Sequence, residues 1–455
     1  MRNVISPLDE SLLATVPIST ASDLDRQLDI AISASTELAV QPRWQRIEWL
    51  KSLHAALVAA SDDLVNLMAH EIGKPVMLGR TEVERALALI DHTIAALMTE
   101  SGDAPYVDDQ AAHAARTVIT KRYPIGVIGA ITPFNFPINL VLHKVLPAIA
   151  TGCPVIVKPS ERTHAVSKCL ADAFSKSGMP EGAVQFDFAD DGPLHARKLA
   201  SDPRVALLSF TGSDAVGRDL AREAGGKPNI LELGGSAAVY IADDADIASA
   251  AKKCAIGAFA YAGQVCISVQ RIYIQKDVLS AFSDALLAEV STINAGDPRD
   301  ENRILGPMID VASATKFVNH WDQLAPHQRL VAPQIHNDRF VSPVVLTNID
   351  HEHPFIQTEA FAPVVVLEAV NGLSEAIHKM NGTPYGLQNG IFTQRIQDAL
   401  TAHRQLRGGA VYLNDVPTVR IDKLAYGGDG ASGNGREGIR DVMQAYTTSR
   451  HLVMS

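Results

Sequence analysis

The sequence predicts an α/β fold with more than one domain, on three observations: its length, a helical N-terminal block, and a change of rhythm near residue 121. At 455 residues the chain exceeds the usual limit of one hydrophobic core, and its 47% hydrophobic content supplies apolar material for two. From about 20 to 100 it is rich in Ala and Leu, with Leu50, Leu53, Leu57, Leu64 and Leu67 at helical spacing, which predicts packed amphipathic helices with no visible chemistry. The stretch 101–120 loses that period and reads as a connector or an exposed ribbon. From 121, short β-branched runs at 126–131 (GVIGAI), 154–157 (PVIV), 205–210 (VALLSF) and 237–241 (AAVYI) alternate with helical segments, the pattern of a parallel βαβ sheet. One such helix carries Ala165, Val166, Cys169, Leu170, Ala173 and Phe174 and stops before Gly178 and Pro180. A second α/β lobe is expected over about 235–430, with helices near 246–262 and 277–291 and apolar runs at 343–347 and 363–367. The glycine-dense segment from about 427 suits turns or close backbone approach, and MQAYTTSRHLVM after it suits an edge strand.

Composition narrows the function. Lys and Arg total 40 against 51 Asp and Glu, a net charge of −11 with no basic block, so nucleic acid is not expected as a partner. The start, MRNVISPLDESLLATVP, carries acidic residues and a proline where a secretory peptide needs a continuous apolar region, and no later stretch approaches spanning length. A cytoplasmic protein without a membrane partner is therefore expected. Cys153, Cys169, Cys254 and Cys266 form no C-x-x-C pair and read as reduced thiols, three of them packing as small apolar residues. No metal-binding set is read.

In a parallel sheet, ligands bind outside the carboxyl ends of the strands, so the residues after each run matter most. Thr132-Pro133-Phe134-Asn135-Phe136-Pro137 restrains an amide between aromatics, either as a rigid turn or as a donor to an oxyanion. Lys158-Pro159-Ser160-Glu161 places an ammonium and a carboxylate where ribose hydroxyls would suit them, or a surface ion pair. The run from Phe210 through Thr211, Gly212, Ser213 and Val216 to Gly217 precedes a helix whose amides would face a pyrophosphate, although a generic glycine turn fits equally. It is neither G-x-G-x-x-G nor a P-loop. Glu232-Leu233-Gly234-Gly235 offers a general base, and Gly263-Gln264-Val265-Cys266-Ile267-Ser268 a thiol nucleophile beside small residues. No histidine stands in an obvious Cys/His arrangement, which leaves a papain-like hydrolase poorly supported.

The order PFNFP, KPSE, FTGS, ELGG, GQVC, then Thr358-Glu359-Ala360-Phe361-Ala362-Pro363 and Tyr385-Gly386-Leu387, resembles the aldehyde dehydrogenase superfamily over nearly the whole chain. The resemblance implies a Rossmann-like NAD(P)-binding domain (1–105 and 125–234), an α/β catalytic domain (235–432) and a small β oligomerisation ribbon (106–124 and 440–455). It makes Cys266 the nucleophile, Glu232 the general base, and the Asn135 side chain a partner of the Cys266 backbone amide in the oxyanion hole. Lys158 and Glu161 would hold the adenosine ribose, with Gly192, Gly212, Ser213 and Val216 near the adenosine and pyrophosphate. Glu359 would bind the nicotinamide ribose and Phe361 pack beside the nicotinamide. Thr132, Pro133, Phe134, Ser160, Phe210, Thr211, Gly217 and Leu233 complete the implied cofactor set. Phe134 stands where many members have Trp, TEAFAP replaces the frequent E-E-I-F-G-P, and Val265 precedes the cysteine.

The implied reaction is oxidation of an aldehyde to a carboxylic acid through a thiohemiacetal and a thioester on Cys266, with NAD preferred over NADP because Glu161 would repel a 2′-phosphate. The runs at 139–145 (NLVLHKV) and 414–420 (NDVPTVR) are similar to a branch containing lactaldehyde, sulfolactaldehyde and phosphonoacetaldehyde dehydrogenases. Small polar or anionic aldehydes are thus expected, with His143 entering the substrate tunnel and Arg420 pairing an anionic group, although each reads equally as a packing or solvated residue. A homodimer or homotetramer is implied. The alternatives are a CoA-acylating relative, which often lacks the carboxylate that Glu232 provides, an enzyme reducing acyl phosphates, and a catalytically silent binding or structural protein of the same fold.

Overall fold

The computed structural model describes residues 1–455. Four helices, Ala21–Val40, Arg43–Ala59, Ser61–Ile72 and Val76–Thr99, occupy the Ala/Leu-rich block. Thr20 and Asp23 form a capping box that starts the first, while Gly73, left-handed at φ 66°, ends the third. Their apolar stripes share one core with the helix Asn139–Thr151 and with Val155 and Val157 of the adjacent strand.

In the first sheet the central strand Val127–Ile131 is flanked on one side by Val155–Lys158 and then Val184–Phe186, and on the other by Val205–Thr211 and then Asn229–Glu232, all parallel. Strand addition therefore reverses beside the central strand, and the crevice at the carboxyl ends there receives the turns that begin at Thr132, Pro159 and Gly212. Val184–Phe186 and Asn229–Glu232 carry no pattern long enough to announce them in the sequence. The short antiparallel strand Gly433–Asn434 returns from the C-terminal segment to cover the Asn229–Glu232 edge.

The second sheet has seven strands in the order Arg329–Val331, Val344–Thr347, Val364–Val370, Val269–Gln275, Ala237–Ile241, Gln388–Phe392 and Ala410–Leu413, parallel except for the first. The AAVYI run, grouped by its rhythm with the three earlier runs, lies here instead. The chain crosses from one sheet to the other through Gly234 and Gly235. Every residue of Ala237–Ile241 is buried, as a strand covered on both faces requires, so its apolar run cannot reveal which sheet it joins.

Thr117–Pro124 and Thr447–Met454 pair antiparallel along their full length as a separate ribbon, with Leu452 and Val453 more than half exposed. The ribbon is narrower than the sequence suggests. Residues 101–116 hold a short turn at Ala111–His113 and a single antiparallel bridge from Asp103 to Thr120, and Ile439–Ala445 is a helix because Ile439, Val442 and Met443 form an apolar stripe that packs on Asn139–Thr151. No helix is long and apolar enough to cross a membrane.

Candidate active site

A cavity of about 450 Å³ opens between the two sheets, and Asn135, Glu232 and Cys266 all line it. Three left-handed residues in succession, Tyr261 (φ 54°), Ala262 (φ 55°) and Gly263 (φ 65°), deliver the chain to Gln264 and Cys266. Such strain persists only where surrounding contacts hold it, here among buried residues on every side. The ELGG turn has a steric reason. A side chain at Gly235 would strike the Cys266 carbonyl, and one at Gly234 would come within 2.6 Å of the Glu359 carboxylate. Both glycines exist so that the Glu232, Cys266 and Glu359 loops can touch.

The half-buried Cys266 thiol lies 3.0 Å from the Tyr426 hydroxyl. Burial pushes the thiol up to about 12, the bond with Tyr426 draws it down, and Glu359, Glu232 and Glu437 raise it further. Glu232 is buried and neither of its carboxylate oxygens has a hydrogen-bond partner. Burial first, and the nearby Glu437 second, raise it well above the ordinary carboxylate range, against Lys144, Arg436 and Arg420. Gly427 leaves the room it needs, since a Cβ there would lie 2.6 Å from Glu232 Oε1. Glu437 behaves oppositely. Burial works against its charge, but Lys144 Nζ donates to it at 2.6 Å, and the pairing holds it below its usual value.

Asn135 Nδ2 donates to the Gln264 carbonyl at 3.0 Å, and the same carboxamide keeps one N–H free for a ligand. Its loop is held from beneath. The buried Lys74 ammonium donates to the Asn135 backbone carbonyl at 2.9 Å, pairs with Glu82, and sits 3.7 Å from the Phe136 ring. Glu82 in turn accepts the backbone N–H groups of Ile138 and Asn139 at 2.9 and 3.1 Å, ending the loop in the helix Asn139–Thr151. The helical block judged free of chemistry thus braces the loop that carries Asn135.

The cofactor candidates fall into two groups. Pro133, Phe134, Thr211, Gly212, Ser213, Leu233, Glu359 and Phe361 line the cavity, with Phe134 and Phe361 edge to face at 6.0 Å. Glu359 accepts the Gly235 N–H at 3.1 Å, and burial raises its carboxyl to about 7. At the adjoining strand ends, Lys158 pairs with Glu161 at 2.7 Å directly over Gly192, where a Cβ would collide with the Glu161 carboxylate. Thr132 connects the groups, its N–H donating to the Lys158 carbonyl at 3.2 Å. Two side chains are engaged otherwise, and a third is exposed. Ser160 Oγ accepts the Arg162 N–H, Val216 faces outward on its helix, and Phe210 is buried in the core beneath Gly212 and Gly217, away from the cavity.

Both substrate candidates line the cavity. His143 is buried with Nε2 3.2 Å from Asp422 and Nδ1 without a partner, and burial lowers its pKa. Arg420 Nη1 donates to the Ile421 and Leu424 carbonyls, its guanidinium lies 4.5 Å from the Tyr426 ring, and its buried Nη2 has no partner. Asp422 gathers Arg420, His143 and a two-pronged bond from Arg85, whose two contacts are both 2.8 Å. Lys74, Glu82, Arg85, Lys144, Tyr426 and Glu437 were not anticipated. One signal for Lys144 was available: a lysine inside the apolar helical run LVLHKVLPAIA must find a buried partner.

Residues 1–452 match the model of the aldehyde dehydrogenase family. The chain belongs to that family. It is 32% identical to 3-sulfolactaldehyde dehydrogenase of Priestia aryabhattai, over 99% of this chain and 94% of the other. Aldehyde dehydrogenase 21 of Physcomitrella patens, solved with the reaction product succinate, superposes with a TM-score of 0.95 at 31% identity, covering 99% of this chain and 94% of that one. Glyceraldehyde-3-phosphate dehydrogenase of Methanocaldococcus jannaschii, complexed with NADP, superposes with a TM-score of 0.92 at 30% identity, covering 100% and 98%. The resemblance carried by the order of motifs is borne out, and with it the fold class. The enzyme's activity is the NAD(P)-dependent oxidation of an aldehyde.

The brace under Asn135 yields a stability prediction. Lys74→Met strands a buried carboxylate and should cost about 3–5 kcal/mol in urea unfolding. Lys74→Met/Glu82→Gln should recover part of that loss, because it removes the unpaired charge. A double variant as unstable as the sum of its singles would show that the two side chains do not act as a pair.

Proposed function

We propose that the enzyme oxidises short anionic aldehydes with NAD⁺, through a thioester on Cys266 that Glu232 hydrolyses, and that the buried guanidinium of Arg420 receives the anion. The observation that carries this reading is the unpartnered Arg420 Nη2, a buried charged donor on a residue that lines the cavity one tyrosine side chain away from the Cys266 thiol. A buried donor without an acceptor is costly and calls for one from the substrate. The Priestia relative is named for a sulfonated aldehyde and the Physcomitrella enzyme holds a dicarboxylate, which supports the same charge.

The residues fit a dinucleotide, since Gly192 leaves space only for the Lys158–Glu161 pair and Gly234 brings backbone against the Glu359 carboxylate. We assign the adenosine ribose to Lys158 and Glu161, the nicotinamide ribose to Glu359, and the unit around the first sheet to cofactor binding. When bound, NAD(P)⁺ supplies the hydride acceptor. Cys266 Sγ forms the bond to the aldehyde carbon, and the free N–H of Asn135 Nδ2 meets the charge that develops on oxygen. Once the thioester has formed on Cys266, Glu232 takes a proton from water, whose oxygen then attacks the acyl carbon. Its raised pKa makes Glu232 a stronger base than an ordinary carboxylate, at the cost of a larger protonated fraction. The four cysteines are free thiols, which suits the cytoplasm. We assign the ribbon Thr117–Pro124 with Thr447–Met454 to assembly of a homodimer or homotetramer, and a monomer in sedimentation velocity would overturn that assignment.

Three outcomes test the reading. Cys266→Ala should form no NADH, whereas Glu232→Gln should allow up to one equivalent per site and then stall with acyl-enzyme visible by intact mass. In the unmodified enzyme hydrolysis should accelerate as pH rises above the ordinary carboxylate range and Glu232 loses its proton, and sustained turnover by Glu232→Gln would remove Glu232 from this role. Second, kcat/KM should favour NAD⁺, and Glu161→Ser should move the ratio towards NADP⁺; a strong NADP⁺ preference in the unmodified enzyme would overturn the assignment. Third, Arg420→Ala should lower kcat/KM for a carboxylated or sulfonated short aldehyde roughly thirtyfold or more relative to a neutral one of equal length. An unchanged ratio would release Arg420 from substrate recognition.

A further inference from the structure

The mechanism above leaves open how the enzyme holds a thiolate at Cys266. The acidic groups acting on the sulfur are Glu359, Glu232 and Glu437, each of which when ionised opposes a negative charge there. Arg420 is reached only across the Tyr426 ring. No imidazole bonds to the thiol, whose side-chain hydrogen-bond partner is the Tyr426 hydroxyl at 3.0 Å. That hydroxyl has no other partner, and its position is fixed from both sides. The Tyr426 N–H donates to the Glu437 carbonyl at 2.5 Å and the Glu437 N–H donates back at 2.6 Å, while the Arg420 guanidinium covers the ring at 4.5 Å.

With a neutral thiol either atom can donate in this contact. A thiolate only accepts, so when Cys266 ionises the proton in the bond has to come from oxygen. We propose that Tyr426 is a catalytic residue whose hydroxyl donates its hydrogen bond to the Cys266 thiolate. A bond to an ionised acceptor is roughly twice as strong as one between neutral groups, and it offsets part of the repulsion from the acidic groups around the sulfur, above all Glu437, whose Lys144 partner favours its charge. The guanidinium over the ring strengthens the donor, because a cation on the π face draws electron density from the phenol. Burial keeps the phenol protonated, since it raises Tyr426 well above its ordinary value. The same side chain therefore links the residue assigned to the substrate's anion with the atom that attacks its carbonyl.

This inference rests on Cys266 being the nucleophile, and its test separates the two. Full-length enzyme without added cofactor is treated with iodoacetamide over a range of pH, and alkylation of the Cys266 peptide is followed by mass spectrometry. In this reaction the thiol's proton goes to buffer, sulfur forms a bond to carbon, and the carbon–iodine bond breaks with iodide leaving. Tyr426→Phe keeps the ring and removes only the donor. Its midpoint should rise by about one pH unit, which makes alkylation about tenfold slower below the midpoint. 3-Fluorotyrosine placed at 426 is a stronger acid of nearly the same shape and should move the midpoint down, which keeps the test open if the phenylalanine variant fails to fold. An unshifted profile in both variants, or faster alkylation in Tyr426→Phe, would overturn the proposal. Should Cys266→Ala remain an active dehydrogenase, the assignment of the nucleophile falls instead, and the inference with it.

Discussion

Lys144 and Glu437 meet at 2.6 Å with both side chains almost wholly removed from solvent, and the electrostatics of the cavity follow from that pair. Glu232, Glu359 and Glu437 all line one small space, where three ionised carboxylates would repel each other strongly. Only Glu437 has an ammonium in contact. The charge therefore settles on Glu437, whereas Glu232, with no cation in contact, is pushed towards its neutral form. Two carboxyls of the same chemical type are driven apart by environment, which is how acid and base roles are divided within one site. The pair also joins distant chain segments, since Lys144 stands on the helix after the Asn135 loop and Glu437 in the C-terminal glycine segment.

Much of the architecture was legible because it depends on local patterns. The apolar runs 126–131, 154–157 and 205–210 became strands within a residue or two, and the segment around Val166 and Leu170 became the helix His164–Ser175. Gly234 and Gly235 stood inside a recognisable motif and Gly192 was implied by the resemblance, and each proves to be a place where a side chain would strike a neighbouring group. What stayed hidden was long-range. Nothing near Lys74 indicates that its ammonium will support the carbonyl of Asn135, and nothing near Tyr426 indicates that its hydroxyl will meet a sulfur. These contacts arise from the packing of whole elements, and a single sequence carries no local trace of them. Phe210 and Ser160 show the converse, since each belongs to a ligand-binding motif yet spends its side chain on packing or capping.

The placement of Cys266 shows how firmly the site is set before any ligand arrives. Tyr261 and Ala262 hold left-handed backbone that non-glycine residues rarely adopt, and Phe361 across the cavity does the same at φ 47°. Their cost is met by the cores on either side. Gln264 spends its whole side chain in this service, donating to the Tyr261 and Pro307 carbonyls and accepting the Ile309 N–H, while its own carbonyl anchors Asn135. The Cys266 and Asn135 loops are therefore positioned by one shared residue, and a shift in either is transmitted to the other.

The bridge between Tyr426 and Glu437 has a consequence for how the enzyme is made. Both residues lie near the end of the chain, whereas Lys74, Asn135, Glu232 and Cys266 emerge from the ribosome much earlier. Domains fold as they are synthesised, beginning from the N-terminal side. A nascent chain can thus build the parallel part of the first sheet and expose the cysteine loop while the ammonium of Lys144 and the sulfur of Cys266 still lack the groups that complete them. Competence arrives only when the glycine-rich segment threads back past Glu232. Loss of that last stretch by premature termination would leave most of both cores intact and the catalytic centre chemically unfinished.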